Sequence, residues 1–398
     1  MDGNPLVLPD SLIQDPHPLY DKMRAKAPVT EVLLPRGIKV WLVTGHDEAR
    51  AVMTDARLSK DIRFGMMFTG RHLTPDAVRF AWSPELVQHN LLNLDPPRHT
   101  RLRRLVARSM TQPLLARVRA GLARSAERLL AGRPTAELVE DYAGPLAFTG
   151  IAELLGIAEP DRERLRRWST TLLSFSPAEE VAEATAEVLA HFHAMMRERK
   201  AEPTGDMVSN LMHPKNEADV LTDGEIASLS ALMIMAGHET TQQLIGMGAL
   251  GLLDFPEQLA ALREDPGLIT GAVEELLRWV SPIVNTMPRY TTEDVEFGGV
   301  RIPRGEIVLV GLGAVNRDPG RRGCPHAVDI SNPGPHLAFG HGIHYCTGAS
   351  LARMAGHIGI GALVARYPGL VLDGPREELS WYETHLSYSL ARLPVRLR

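Results

Sequence analysis

The sequence predicts a mainly α-helical protein with small β-sheets, folded as a single large domain over residues 1–398. Three observations lead to this fold class. Helical patterns cover most of the chain, and the longest runs from Leu221 to Leu253. Strand-like segments are few and short. The sequence also contains no internal repeat, low-complexity tract or linker that would divide it into smaller units.

The helices follow from apolar periodicity and from signals at their ends. The longest helix begins at a capping box, in which Thr222 precedes Glu225 by three residues. Pro256 ends this helix and opens a short one, and Pro282 ends the helix after that. The other predicted helices are the basic amphipathic segment 101–132, then 181–200, Leu268–Val280 and Ala349–Arg366.

The predicted strands lie near the N-terminus and between the last two long helices. Val40–Val43 is the first, and the others are Val295–Gly299, Arg301–Ile302 and Ile307–Leu312. Residues 316–342 are rich in Gly, Pro and His and predict a long ordered loop. Residues 381–398 are expected to return as a hairpin.

Composition excludes several classes of protein. With 43 Lys+Arg against 48 Asp+Glu, the formal net charge is −5, which argues against a dedicated nucleic-acid binder. The two cysteines, Cys324 and Cys346, are too few for a disulfide framework or a four-thiolate metal site. No signal peptide and no apolar run of ~20 residues is visible. We therefore expect a cytoplasmic protein with no membrane or nucleic-acid partner.

The segment around Cys346 carries the sharpest chemical signal. This cysteine stands at the start of a helix and follows the glycine-rich turn 339–345. Such a turn brings backbone N–H groups close to sulfur, and a helix N-terminus favours a negative charge there. Two other interpretations stay open at this point, a buried inert cysteine and a zinc site made by His341, His344 and Cys346. The zinc site lacks the CxxC or HxxxH pair that usually accompanies such ligands.

The run 339–348 resembles the haem-ligand loop of the cytochrome P450 family, FGxGxHxCxG, at every fixed position. The resemblance implies that Cys346 is the axial thiolate ligand of haem iron. It also places Phe339, Gly340 and Gly348 beside the cofactor, with haem between the long central helix and the cysteine loop. Thr347 departs from the leucine common in the family, and its hydroxyl would bond either near the sulfur or to its own helix.

The long helix contains a second motif, residues 236–241. On its own, it most often reflects packing and capping, and it is also a near miss to the zinc-protease pattern HExxH, with Gln242 in place of the second histidine. In the resembled family this stretch crosses the oxygen-binding side of haem. The resemblance implies a notch for dioxygen at Ala236 and Gly237, a hydroxyl supplied by Thr240, and proton relay by Glu239.

A Glu275–Arg278 pair, three residues apart, would lie on one helix face. As an isolated pattern it is usually a surface ion pair, whereas the family resemblance implies a buried structural pair that braces the cysteine loop. The family's third partner is an arginine at the position occupied here by Ala327. The triad is therefore either incomplete or completed by His326.

The resemblance assigns four basic residues to the two propionates of haem. They are His99, Arg103, Arg289 and His344. Other arginines of the same basic cluster, such as Arg104, would then receive an acidic electron donor.

Taken together, these features predict a haem-thiolate monooxygenase that inserts one oxygen atom of O2 into a small organic molecule, by hydroxylation or epoxidation of a bacterial secondary metabolite such as an antibiotic. The cofactor would be haem b. Electrons would come from a ferredoxin and its reductase, with NAD(P)H acting only indirectly. The predicted substrate contacts, for each of which core packing is an equal alternative, are Phe64, Met67, Phe80, Trp82, Leu172, Ile283, Val284, Asn285 and Leu386.

Three other functions are compatible with the sequence. The first is oxidative coupling or peroxide-driven oxidation by a protein of the same fold. The second is a metal-dependent hydrolase that uses His238, or His341 with His344. The third is a haem sensor without turnover.

Overall fold

The computed structural model describes residues 5–9, 15–77, 86, 89–132, 134–214, 216, 219–383 and 387–397. Its described helices are α1 His17–Lys26, α2 His46–Thr54, α3 Ile62–Thr69, α4 Arg98–Ser109, α5 Gln112–Leu130, α6 Gly144–Leu155, α7 Glu159–Leu173, α8 Ala178–Ala201, α9 Met207–Met212, α10 Asp223–Asp254, α11 Pro256–Glu264, α12 Ile269–Val280, α13 Leu312–Val315 and α14 Ala349–Arg366. A single π-helical turn, Val139–Ala143, leads directly into α6.

The long helix α10 forms as its end signals predict. Thr222 Oγ1 accepts the Glu225 N–H at 3.2 Å, and the Glu225 carboxylate accepts the Thr222 N–H at 3.0 Å. These two bonds are the reciprocal pair of a capping box, which satisfies N–H groups that have no partner within the helix. At ~1.5 Å per residue, the 32 residues of α10 give a helix close to 50 Å long.

The prediction of one helix over 101–132 is wrong, because the structure divides this segment into α4 and α5. Met110 and Thr111 leave the helical conformation, with ψ angles of 73° and 156°. Pro113 lies in the first turn of α5. Its ring lacks an N–H donor and disfavours a helical residue before it, so a new helix start is accommodated there more easily than a continuous helix.

The β-structure is small and peripheral. Strands β1 Leu6–Val7, β2 Val29–Leu33, β3 Lys39–Val43, β4 Leu58–Ser59, β6 Arg289–Thr291 and β9 Ile307–Val310 form one sheet in the order β1-β2-β3-β9-β6-β4. The other described strands are β5 Thr135–Glu137, β7 Val295–Phe297, β8 Val300–Ile302, β10 Val371–Leu372, β11 Trp381–Glu383, β12 Tyr388–Leu390 and β13 Pro394–Arg396. The predicted C-terminal hairpin is β11–β12, whereas β13 pairs with β5 and β10.

Helix α10 forms the centre of the largest apolar core, with α6 packed closely along it. A Cβ atom on Gly237 of α10 would lie only 2.3 Å from Ile151 Cδ1 of α6. The Ile151 side chain therefore fills the space beside Gly237, and a larger residue at position 237 would displace it. Among the described residues, no helix combines the length and apolar character needed to cross a membrane.

Candidate active site

One cavity is lined both by the middle of α10 and by the loop that precedes α14. It encloses about 1820 Å³, including the part open to solvent. Most of the predicted site residues border it, and these are His99, Arg103, Ala236, Gly237, Glu239, Thr240, Ile283, Arg289, Phe339, Gly340, His344, Cys346 and Gly348.

The cysteine loop is shaped by its glycines. Gly340 and Gly342 have φ angles of 73° and 75°, the left-handed region that side-chain-bearing residues rarely adopt. A Cβ on Gly342 would also lie 2.9 Å from the Met53 carbonyl oxygen. The loop closes where the Cys346 N–H donates to the Phe339 carbonyl at 2.9 Å. This tight turn presents the Cys346 sulfur to the cavity.

The groups around Cys346 shift the pKa of its thiol in opposite directions. Burial raises the pKa of the thiol, while the Gly348 N–H, which donates to the sulfur, and the charges of Arg103 and Arg353 lower it. Because burial is the largest of these effects, the chain alone leaves the thiol protonated. A positive charge on the cavity side of the sulfur would reverse that balance.

Helix α10 contributes a hydroxyl to the lining of the same cavity. Thr240 Oγ1 donates to the Ala236 carbonyl one turn earlier at 2.7 Å. Since the hydroxyl proton is used in this bond, the oxygen retains lone pairs that can accept a hydrogen bond from a molecule in the cavity. Ala236 itself is small and leaves space beside that hydroxyl.

Glu239 is connected to the C-terminal hairpin. Its Oε1 accepts hydrogen bonds from Ser387 Oγ at 3.1 Å and from Ser389 Oγ at 2.9 Å, and the two serine hydroxyls lie 2.8 Å apart. One turn along α10, Gln243 Oε1 accepts the Leu390 N–H at 3.1 Å. Both Glu239 and Ser387 line the cavity, so an acid and a hydroxyl chain reach it together.

Five nitrogen-bearing side chains meet at one edge of the cavity. Four were predicted from the sequence, and the fifth is Lys60, which was missed. The rings of His99 and His344 lie 4.2 Å apart between centroids. His99 Nδ1 and His344 Nε2 are buried and have no hydrogen-bond partner within the described ranges.

This basic edge is electrostatically unbalanced. Burial, followed by repulsion from neighbouring cations, lowers the pKa of His99 to about 4 and that of His344 to about 2. Burial also lowers the pKa of Arg289 to about 10, with Asp95 opposing the change. These side chains are therefore poised for an anion that the chain itself does not supply.

The Glu275–Arg278 pair is fully buried, as the resemblance implied. Arg278 Nε and Nη2 each donate to the Glu275 carboxylate at 2.8 Å, and Arg278 also donates to the Ala327 carbonyl at 2.7 Å. A third side chain completes the triad, because Arg322 Nη2 lies 3.0 Å from Glu275 Oε1. Neither sequence alternative was correct, since the triad is complete and His326 Nε2 instead contacts Asp21 at 2.9 Å.

Comparison with known proteins identifies the family. The family model described as Cytochrome P450 matches residues 165–380. The chain is 40 % identical over 393 residues to the cytochrome P450 monooxygenase PikC of Streptomyces venezuelae, covering 96 % of this chain and 91 % of that protein. The chain belongs to the cytochrome P450 family. It is also 37 % identical over 384 residues to the mycinamicin IV hydroxylase/epoxidase of Micromonospora griseorubida, covering 94 % of each.

A solved structure supports the same assignment for the fold. The tirandamycin C-bound P450 monooxygenase TamI superposes with a TM-score of 0.89 at 35 % identity, covering 99 % of this chain and 100 % of that one. The chain is therefore a P450 monooxygenase of bacterial type, and the family implies haem and O2-dependent oxidation.

The residues present fit a haem. A cysteine sulfur faces the cavity on one wall, and an edge of buried cations and unpartnered imidazole nitrogens can receive the two carboxylates of the cofactor. Gly348 keeps the space beside the sulfur open, since a Cβ there would lie 3.9 Å from Sγ. This donor set is that of a thiolate-ligated, dianionic cofactor.

The predicted substrate contacts are only partly placed at the cavity. Ile283 lines it, whereas Leu172 is buried in the main core and its neighbour Leu173 takes the lining position. Val284 lies against Gly313, and Asn285 forms a β-bridge with Gly311. Phe64 stacks near Phe68, Met67 is 67 % exposed, and Phe80, Trp82 and Leu386 lie outside the described residues.

Three further predictions can be compared with the structure. His238 is buried against Phe148, with ring centroids 5.4 Å apart, and is not among the residues that line the cavity. The zinc-protease interpretation therefore lacks its first metal ligand at this site. Arg104, which was expected to receive an acidic electron donor, instead forms an ion pair with Asp219. Arg108 pairs with the same carboxylate. Thr347 lines the cavity, and within the described residues its hydroxyl has no hydrogen bond to α14.

Proposed function

We propose that this P450 hydroxylates or epoxidises a small, mainly apolar bacterial secondary metabolite, using haem b, and that it acts in the biosynthesis of an antibiotic. Electrons come from a ferredoxin and an NAD(P)H-dependent reductase. The observation that carries this proposal is that the Cys346 sulfur and the Thr240 hydroxyl line one cavity. Relatives with this chemistry include the mycinamicin IV hydroxylase/epoxidase.

The proposed substrate class follows from the cavity walls away from the basic edge. They are built from aliphatic and thioether side chains, including Leu92, Ile151, Leu173, Met233 and Ile283. Such walls favour apolar surface through the hydrophobic effect and do not fix a charged group. The substrate is therefore held mainly by shape.

Each catalytic residue has one task in this proposal. Cys346 would hold the haem iron through its sulfur, and haem, when bound, would supply the activation of O2 that side chains cannot provide. Thr240 Oγ1 would accept a hydrogen bond from a molecule in the cavity, while its own proton is donated to the Ala236 carbonyl. Glu239 holds a proton close to that side, and Ser387 passes it between the carboxylate and the cavity.

Cofactor binding is assigned to residues around the same cavity. His99 and Arg103 of α4, together with Arg289 and His344, would hold the two carboxylates of haem. Glu275, Arg278 and Arg322 hold the loop that leads to Cys346 in place. We further propose that residues 1–398 form one domain, which is supported by relatives that align over 96–98 % of the chain.

A spectral experiment tests the haem-thiolate assignment first. The reduced protein under carbon monoxide should give the spectrum of thiolate-ligated haem, and Cys346→Ser should abolish it while Cys324→Ser preserves it. A histidine-type spectrum in the wild-type protein would refute the proposal.

The substrate class is then tested by screening a compound library for the low- to high-spin shift of haem. Neutral macrolides and terpenes are the expected hits. Product analysis of each hit, with ferredoxin, reductase and NAD(P)H, should show addition of one oxygen atom. Dimeric products, or full activity with peroxide alone, would favour the coupling or peroxide-driven alternative.

A further inference from the structure

We propose that Lys60 is a further cofactor-binding residue of this P450, and that its ammonium group pairs with a carboxylate of haem beside Arg289. The inference rests on the haem binding described under the proposed function. Nothing in the sequence singles out this residue, because Lys60 follows a two-residue strand and belongs to no recognised motif.

The position of Lys60 is unusual for a lysine. Its residue is only 5 % exposed, and it lines the cavity at the end of β4. Nζ lies 3.5 Å from the Met287 carbonyl oxygen, at the outer limit of a hydrogen bond. Within the described part of the chain, no carboxylate lies within salt-bridge distance of Nζ. A buried ammonium with so little compensation calls for an anion from outside the chain.

The nearby acid Asp95 is already used by other groups. One of its carboxylate oxygens accepts the Lys60 backbone N–H at 2.9 Å, and the other accepts the Ser59 hydroxyl. Asp95 thus fixes where the lysine stem starts but does not pair with its ammonium. Its backbone carbonyl also accepts the His99 N–H at 3.0 Å, which joins β4 to the start of α4.

The charges around Lys60 place it at the same edge as the predicted propionate ligands. Burial and then the charge of Arg289 lower the pKa of Lys60, and Asp95 opposes them. Lys60 in turn lowers the pKa of both His99 and His344. Lys60, Arg103 and Arg289 therefore bring three cations to an edge with one occupied acid, and the two carboxylates of haem would nearly neutralise them.

The test measures haem retention by the holoenzyme rather than turnover. Haem transfer to excess apomyoglobin is followed for the wild type, Lys60→Met, Lys60→Arg and the control Lys39→Met. Lys39 is a suitable control because it is a partly exposed lysine on β3 of the same sheet, and its Nζ pairs with Glu31 at 3.0 Å. The same four holoenzymes are also prepared with haem dimethyl ester, in which both carboxylates are blocked.

Lys60→Met should lose haem about 10-fold faster than the wild type, the scale of one lost charge-assisted hydrogen bond. Lys60→Arg should fall between the two, and Lys39→Met should match the wild type. With the dimethyl ester, wild type and Lys60→Met should lose cofactor at the same rate, because the carboxylate partner is gone.

Two outcomes would overturn the inference. One is an unchanged rate of haem loss in Lys60→Met. The other is equal acceleration of haem and ester loss, which would show that the lysine stem acts only through packing. A wild-type protein without a thiolate-haem spectrum would instead refute the proposed function, so the two failures are distinguishable.

Discussion

Replacing Arg322 should weaken the brace behind the cysteine loop. In Arg322→Ala, the buried Glu275 carboxylate loses its contact with Nη2 at 3.0 Å. It keeps two bonds from Arg278 and the Asp329 N–H at 3.0 Å, so the charge does not become unpaired. The expected loss is one hydrogen bond to a charged group, about 1.5–3 kcal/mol in the free energy of unfolding.

Denaturant unfolding of the holoenzyme, followed by circular dichroism and the haem band at fixed protein concentration, measures this loss. Arg321→Ala is the matched control, because its side chain is 48 % exposed and pairs with Asp47 at the surface. Such a pair contributes at most about 1 kcal/mol. The double variant Arg322→Ala/Ala327→Arg should recover stability, since residue 327 already contacts Arg278 through its carbonyl. If Arg322→Ala were no less stable than Arg321→Ala, Arg322 would not be the third member of the triad.

Three further predictions concern α10 and the hairpin packed on it. Gly237→Ala should destabilise the protein by about 1–3 kcal/mol through overlap with Ile151, and adding Ile151→Val should recover part of the loss in denaturant melts. Burial lowers the pKa of His238 from 6.5 to about 3, so the unfolded chain binds one more proton between these values and stability falls as the pH drops below 6.5. His238→Leu should flatten that decline by about 1.4 kcal/mol per pH unit, and an unchanged slope would contradict the assignment. Ser389→Ala removes one hydrogen-bond donor to Glu239 and should lower the amount of product formed per NAD(P)H oxidised, while the ligand-induced spin shift stays unchanged. An unchanged ratio of product to NAD(P)H would show that Ser389 has no part in proton delivery.

Local patterns allowed the sequence to predict the central part of the site. The cysteine loop is specified by glycines and a helix start within ten residues, and the capping box of α10 by two residues in one turn. The basic residues His99 and Arg103 lie one helical turn apart, so their common face also follows from local geometry. In each case the determining contacts are close in sequence.

The missed residues depend on contacts that are distant in sequence. Arg322 reaches Glu275 only because the loop 316–342 folds back onto α12, and nothing near Arg322 in the sequence indicates that path. Lys60 is buried by segments that follow it by more than 200 residues, such as the one containing Met287. Leu172 and Leu173 are adjacent on α7 and point about 100° apart, and only Leu173 borders the cavity, which the sequence pattern alone does not distinguish.

The first turn of α10 has a consequence for engineering the enzyme. Glu225 closes the capping box and also accepts Arg101 Nη1 of α4 at 2.9 Å. One carboxylate therefore joins the helix that supplies His99 and Arg103 to the helix that supplies Thr240. A mutagenesis campaign directed only at residues lining the cavity would leave out this remote contact, although it links the helix with the cofactor-side residues to the helix with the oxygen-side residues.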